Sequence, residues 1–190
     1  MLNFNKLIEV LISLEIIIIS TFIPVFFSIP FTNKHIGTFE IPITWQIPSI
    51  VIITLIFNRK IVIKAFTIYL IIGLFFIPVF HHGGSLGYLL TPNFGYLLGM
   101  YPLIITIGNS DKRNQIINYY DFLKNGIFGI SSMHFIGIIY NCIQVIFFNQ
   151  SEILLYNISK YSIGKFGYHL FMLTPITLLI KIINNNRYER

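Results

Sequence analysis

Residues Ile68 to Met100 read IYLIIGLFFIPVF-HHGGSLGYLL-TPNFGYLLGM, and this stretch decides the fold. An apolar run long enough to enter a membrane stops at Pro78, gives way to a glycine-rich loop and resumes at Tyr96. Irregular backbone beside membrane spans is tolerated only where it is buried in protein or lines a water-filled cavity. In transporters, interrupted segments of this kind point to the solute site. The stretch therefore predicts the floor and wall of a small-molecule pocket.

The composition is that of a membrane protein. Of the 190 residues, 55% are hydrophobic and only 11% are charged, and the mean hydropathy is +0.75. A soluble domain carries roughly 25% charged residues. Several apolar runs approach the roughly 20 residues that a helix needs to cross a bilayer. We therefore predict a polytopic membrane protein that forms a single domain over residues 1–190.

Six apolar runs predict an all-α fold with six transmembrane helices. The predicted spans are about 7–29, 41–57, 61–80, 94–108, 126–148 and 166–183. Three connections are predicted on one side of the membrane: a polar hinge at 28–40, the glycine loop, and a loop at about 149–165. An even number of spans places both termini on the opposite side.

Lys and Arg residues are unevenly distributed between the two sides. The N-terminus, the 58–64 turn, the 109–124 loop and the C-terminal end hold ten of them, and the opposite loops hold Lys34, Lys160 and Lys165. Since cytoplasmic segments carry the excess of Lys and Arg, both termini are predicted to be cytoplasmic and the pocket to open outside. The net charge of +6 is scattered over the ends of apolar runs, which is not the pattern of a nucleic-acid-binding surface.

The glycine loop carries the residues best suited to bind a solute. Gly83 and Gly84 let the backbone approach a ligand closely. Asn93 and Tyr96 add hydrogen-bonding groups without formal charge, which suits a neutral polar ring or an amide-like head group. The lysine that follows the last glycine of a nucleotide-binding loop is missing, so nucleotide binding is not indicated. Gly95 and Gly99, four residues apart, predict a close contact between helices.

Neither a metal site nor an enzyme is indicated. The adjacent His81 and His82 do not face one site on regular structure, and the other three histidines show no ligand spacing with them. The chain has no nucleophile elbow and no paired intramembrane carboxylates. Lys181, at the end of the sixth run, has two interpretations: its ammonium group extends to the cytoplasmic interface, or it points inward at a ligand.

Two segments resemble the BioY family, the substrate-binding S components of energy-coupling-factor (ECF) biotin transporters. The segment 41–46, Ile-Pro-Ile-Thr-Trp-Gln, resembles the family's Val-Pro-x-Thr-hydrophobic-Gln. The segment 69–100 is similar to the family signature, which is roughly Pro-Val-Phe, a Gly-Gly pair, and then Gly-Pro-Thr-Gly-Gly-Tyr-Leu-hydrophobic-Gly-Phe. The order and spacing agree over more than thirty residues.

The resemblance implies a membrane subunit that binds biotin near the outer face and delivers it with an ECF module. That module comprises a transmembrane coupling subunit and a pair of ATP-hydrolysing subunits. Biotin is then the transported ligand, with no cofactor, and the location is the plasma membrane or, as an alternative, an organellar (plastid) membrane. Carried over by position, the ligand-binding residues are Thr44, Gln46, Gly83, Gly84, Asn93, Tyr96 and Lys181.

Two departures from the family pattern keep other functions open. The family's Gly-Pro-Thr-Gly-Gly is Thr-Pro-Asn-Phe-Gly at 91–95, so Phe94 stands at a small position. The family's Pro-x-Asp-x-x-Lys near the C-terminus becomes Pro-Ile-Thr-Leu-Leu-Ile-Lys at 175–181, without the aspartate. The alternatives are an S component for another small vitamin-like solute and a membrane scaffold that transports nothing.

Overall fold

The computed structural model describes residues 4–32, 35–81, 83–110, 117–148 and 151–188. The helices in these ranges are α1 (Phe4–Phe22), α2 (Gln46–Ile56), α3 (Arg59–Phe75), α4 (Pro92–Leu98), α5 (Met100–Ser110), α6 (Tyr119–Phe148), α7 (Ser151–Ile158), α8 (Gly164–Phe171) and α9 (Leu173–Tyr188). A short 3-10 helix covers Leu86–Leu90, and a π-helical turn, Ser159–Ile163, joins α7 to α8. Two strands, β1 (Pro24–Thr32) and β2 (His35–Thr44), form an antiparallel hairpin.

The helices of the described ranges combine into six rods, which agree in number with the six apolar runs. α4 and α5 are separated by Gly99 alone, and α7, α8 and α9 follow one another with the π-helical turn and Met172 between them. Two rods are long and apolar enough to cross a membrane by length and composition, Tyr119–Phe148 and Glu152–Ile180. The helical fold is confirmed, whereas six complete spans and the sidedness of the termini stay predictions.

A β-hairpin lies between α1 and α2 and changes the bounds of the first two predicted spans. The first predicted span, 7–29, is helical only to Phe22, and the second, 41–57, begins in a strand. The proline at residue 24 cannot continue a helix, because its ring clashes with the preceding turn and it has no N–H. In β2, Ile41 and Ile43 are buried while Pro42 between them is exposed, which is the two-residue period of a half-buried strand.

The glycine loop folds back onto the end of α3, which ends at Phe75 and not at residue 80 as predicted. The Ser85 N–H donates to the Gly73 carbonyl at 2.8 Å. A Cβ placed on Gly84 would lie 2.5 Å from Pro78 Cα, so the return of the chain requires a residue without a side chain there. The predicted loop at 149–165 is also corrected, since its described residues, 151–165, are helical.

Glycines bring α4 and α5 against α6, as their four-residue spacing predicts. A Cβ on Gly95 would lie 2.3 Å from Tyr140 Cβ, and a Cβ on Gly99 would lie 2.5 Å from the Met133 carbonyl oxygen. Bulkier residues would push the helices apart. This contact fixes the position of Tyr96 relative to α6.

The fully buried Tyr69 links the first three helices to the glycine loop. Its hydroxyl lies 3.2 Å from Thr21 Oγ1 of α1, accepts from Gln46 Nε2 of α2 at 3.1 Å, and lies 3.4 Å from the Val79 carbonyl oxygen. A hydrogen bond inside an apolar core fixes its partners strongly, because leaving either unpaired is costly. The start of α2 is thus held in one position by a residue of α3.

Candidate solute-binding site

A cavity of about 490 Å³ lies where β2, the start of α2, α4, α6 and the α7–α9 rod meet. Its volume is within the range of roughly 300–1,000 Å³ that small-molecule sites occupy. Apolar side chains form part of the wall, among them Ile43, Ile47, Leu97, Met100 and Met133. Polar and charged groups from other elements complete it, so the cavity suits a ligand with an apolar body and several polar groups.

Four of the residues predicted from the sequence line this cavity. Thr44 ends β2 and Gln46 begins α2, while Asn93 and Tyr96 lie on α4. The fold therefore brings together two segments that are almost fifty residues apart in the sequence. We retain these four residues as candidates for ligand contact.

The other three predicted residues are placed differently. Gly83 and Gly84 are not among the residues that line the cavity. Gly83 has a positive φ of +137°, which favours glycine, and exchanges backbone hydrogen bonds with Phe80 at 2.9 and 3.0 Å. The two glycines therefore shape the loop. Lys181 lies on α9, and its side chain is outside the described part of the structure.

Gln46 is held in place by the protein and still keeps groups for a ligand. The residue is buried, and its Nε2 donates to the Tyr69 hydroxyl at 3.1 Å. A carboxamide has two N–H donors and an acceptor oxygen, so this contact uses one of its hydrogen-bonding groups. An amide with a fixed orientation is suited to recognise another amide-like group.

Asn93 lies in the first turn of α4, next to side chains of the loop that precedes this helix. Its side chain lies near the hydroxyl of Tyr88, which donates to the His81 carbonyl at 3.1 Å. Burial raises the pKa of Tyr88 to about 12, so this phenol stays protonated at neutral pH. Tyr88 and His81 also line the cavity. The loop thus contributes to the site mainly through these side chains.

A chain of hydrogen-bonded side chains runs behind the wall from Tyr96 to His169. The Tyr96 hydroxyl lies 2.7 Å from Ser162 Oγ, which lies 3.3 Å from His134 Nδ1. His134 Nε2 lies 3.0 Å from His169 Nδ1. All four residues are buried, and both ends of the chain, Tyr96 and His169, line the cavity. The contact between the two imidazoles requires one nitrogen to donate and the other to accept.

Among the described residues, the charged side chains that line the cavity are Glu40, Lys160 and Lys165, and none of them was predicted to bind a ligand. Glu40 extends from β2, Lys160 from the π-helical turn and Lys165 from α8. Both ammonium groups approach one aromatic ring, with each Nζ 5.4 Å from the centre of the Tyr161 ring. Two cations and one carboxylate make this part of the wall net positive.

The sequence indicated these additional residues only weakly. The sequence placed Lys160 and Lys165 in an outer loop, because 149–165 was predicted to be a loop and not part of a helical rod. His134 and His169 are 35 residues apart and share no motif. Among the described residues, no group of three or more His, Cys, Asp or Glu side chains is arranged to hold a metal ion.

Comparisons with known proteins agree with this fold. The chain is 28% identical over 100 residues to a probable biotin transporter BioY from Lysinibacillus sphaericus, an alignment that covers 53% of the chain and 51% of that protein. The match thus spans about half the length of this relative. A crystal structure of the S component for biotin from an ECF-type ABC transporter superimposes with a TM-score of 0.61, at 22% identity and with 95% of both chains covered. The model of the BioY family matches residues 2–177, and the chain therefore belongs to the BioY family.

Proposed function

We propose that the chain is the biotin-binding S component of an ECF transporter, which captures biotin at the outer face of the membrane. The observation that carries this proposal is the cavity itself, because Thr44 and Gln46 meet Asn93 and Tyr96 there, on a fold similar to that of a biotin S component. Family membership supports a transport subunit and gives no support to an enzyme.

The chemistry of the wall matches the two halves of biotin. The ureido ring presents two N–H donors and one carbonyl acceptor, and the hydroxyl and carboxamide groups of Thr44, Gln46 and Asn93 supply complementary partners. The sulfur-containing ring and the aliphatic chain are apolar and suit the faces of Tyr96 and Met133. The free energy of binding then comes from burial of the apolar surface, and specificity comes from the polar groups.

Partners and location follow from the same proposal. The S component delivers biotin together with a transmembrane coupling subunit and a pair of ATP-hydrolysing subunits in the plasma membrane, or in an organellar (plastid) membrane. Biotin is its transported ligand, and ATP hydrolysis belongs to the partner subunits.

Equilibrium binding of biotin to the purified, detergent-solubilised protein tests the proposal. Gln46→Ala and Tyr96→Ala are each expected to weaken binding about tenfold or more, since each removes a group worth roughly 1.4 kcal/mol or more to the complex. Ser132→Ala serves as the control, because this hydroxyl donates to the Phe128 carbonyl of its own helix and does not line the cavity.

The result that would overturn the proposal is a folded, monodisperse protein that binds no biotin. Screening of other vitamin-like solutes would then identify a different ligand. If no solute binds and the two variants change only stability or assembly, the chain is a membrane scaffold.

A further inference from the structure

Two cations, Lys160 and Lys165, line the cavity without a carboxylate partner among the residues that the structure describes. Within the described residues, neither Lys160 nor Lys165 forms an ion pair with a carboxylate. Lys160 is exposed, but Lys165 is half-buried and lines the cavity from the first turn of α8. A partly buried charge without a counter-ion is costly, and in a membrane protein such a charge is a candidate for function.

Tyr161 fixes these cations in place without cancelling their charge. Each Nζ is 5.4 Å from the centre of its ring, and Lys160 Nζ is also 3.4 Å from the Tyr156 hydroxyl. Interaction with an aromatic face lowers the energy of an ammonium group but leaves its positive charge. Lys165 has no hydrogen bond to another described side chain, so its three N–H donors are available to a ligand.

The other titratable groups of the wall do not reverse the net positive charge at this end of the cavity. Glu40 of β2 is exposed and supplies one negative charge against two positive ones. His169 also lines the cavity, and it is joined to His134 by a hydrogen bond. The α7–α8 side of the cavity thus favours an anion, while the side formed by α2 and α4 is lined by neutral polar groups.

We propose that Lys165, assisted by Lys160, binds the carboxylate of the solute, while the ring end of the solute lies between Gln46 and Tyr96. This inference rests on the proposed function, because it concerns the valerate carboxylate of biotin. In this arrangement, residues of the π-helical turn and α8 bind the carboxylate, and Lys181 is not required. Lys165 then determines specificity for a solute that is an anion.

A thermodynamic cycle that combines two ligands with two protein variants tests the inference. Binding of biotin and of biotinamide, whose carboxylate is replaced by a neutral carboxamide, is measured on the wild-type protein and on Lys165→Met. The wild-type protein should bind biotin about tenfold more tightly than biotinamide. Lys165→Met should weaken biotin about tenfold and change biotinamide less than about threefold, because the cycle isolates the pair of charges.

Matched variants separate the charge from the shape of the side chain. Lys165→Arg keeps the charge and should retain the preference for biotin, Lys160→Met should reduce it by a smaller factor, and Lys124→Met, on an exposed lysine of α6 outside the cavity, should leave it unchanged. Equal losses of biotin and biotinamide in Lys165→Met would overturn the inference, since the lysine would then only shape the cavity.

The preference of the wild-type protein is a second test that needs no variant. If Lys165→Met does not fold, equally tight binding of biotin and biotinamide by the wild-type protein still overturns the inference and leaves the proposed function standing. Binding of neither compound would overturn the proposed function, and this inference with it.

Discussion

Ser162 is the residue on which the buried hydrogen-bonded chain depends. Its hydroxyl contacts both Tyr96 and His134, and all three side chains are buried. Ser162→Ala is expected to destabilise the protein by about 1–3 kcal/mol, because it leaves buried polar groups unpaired. Thermal unfolding in detergent would show this as a fall in Tm of about 2–4 °C for each kcal/mol. The control Ser132→Ala should change Tm little, and an unchanged Tm in Ser162→Ala would contradict the prediction.

At the residue scale, four residues chosen from the sequence line one cavity, and the reason is local. Thr44 and Gln46 are two positions apart, and Asn93 and Tyr96 are three apart, so each pair belongs to one short segment whose chemistry is visible in the sequence. The contacts of His134 with His169 and of Tyr96 with Ser162 join side chains 35 and 66 residues apart. Packing of helices sets such contacts, and no spacing in the sequence reports it.

At the scale of elements, the contact of α4 and α5 with α6 depends on the absence of side chains. Gly99→Ala places a Cβ 2.5 Å from the Met133 carbonyl oxygen, a backbone atom that cannot rotate away. We expect a lower Tm and loss of a monodisperse species in size-exclusion chromatography. Gly167→Ala is the matched control, because a Cβ there meets nothing within 4 Å and alanine favours helix by about 1 kcal/mol. Equal stability of the two variants would show that the helices can separate at no cost.

The elements also show where prediction from hydropathy fails. The apolar run that contains α1 continues past Phe22, so hydropathy alone extends the helix. The prolines at 24, 30 and 42 do not favour a helix, and the alternation of burial in β2 indicates the hairpin. Conversely, the π-helical turn at Ser159–Ile163 keeps a polar segment helical. Hydropathy reports the surroundings of a segment and not its backbone hydrogen bonds. The hairpin and this turn both contribute residues to the cavity. The two wrong predictions of secondary structure therefore concern segments that line it.

For the molecule as a whole, the decisive question is which side of the membrane the cavity faces. The distribution of Lys and Arg predicts that the 58–64 turn is cytoplasmic and that the hairpin and the α7–α8 region are outside. In a Cys142→Ser background, single cysteines at the exposed positions Glu40 and Lys160 should react with a membrane-impermeant maleimide on intact cells. Cysteines at the exposed positions Lys60 and Lys124 should react only after permeabilisation.

The sidedness decides what the cavity can do. If cysteines at positions 40 and 160 are labelled from outside, the cationic end of the cavity meets the external solution, as the proposed capture of an anionic solute requires. The opposite result, in which cysteines at positions 60 and 124 react on intact cells and those at 40 and 160 do not, would show that the protein has the reverse orientation. The cavity would then open to the cytoplasm, and uptake from outside would require the chain to expose the site by a rearrangement of the rods around it.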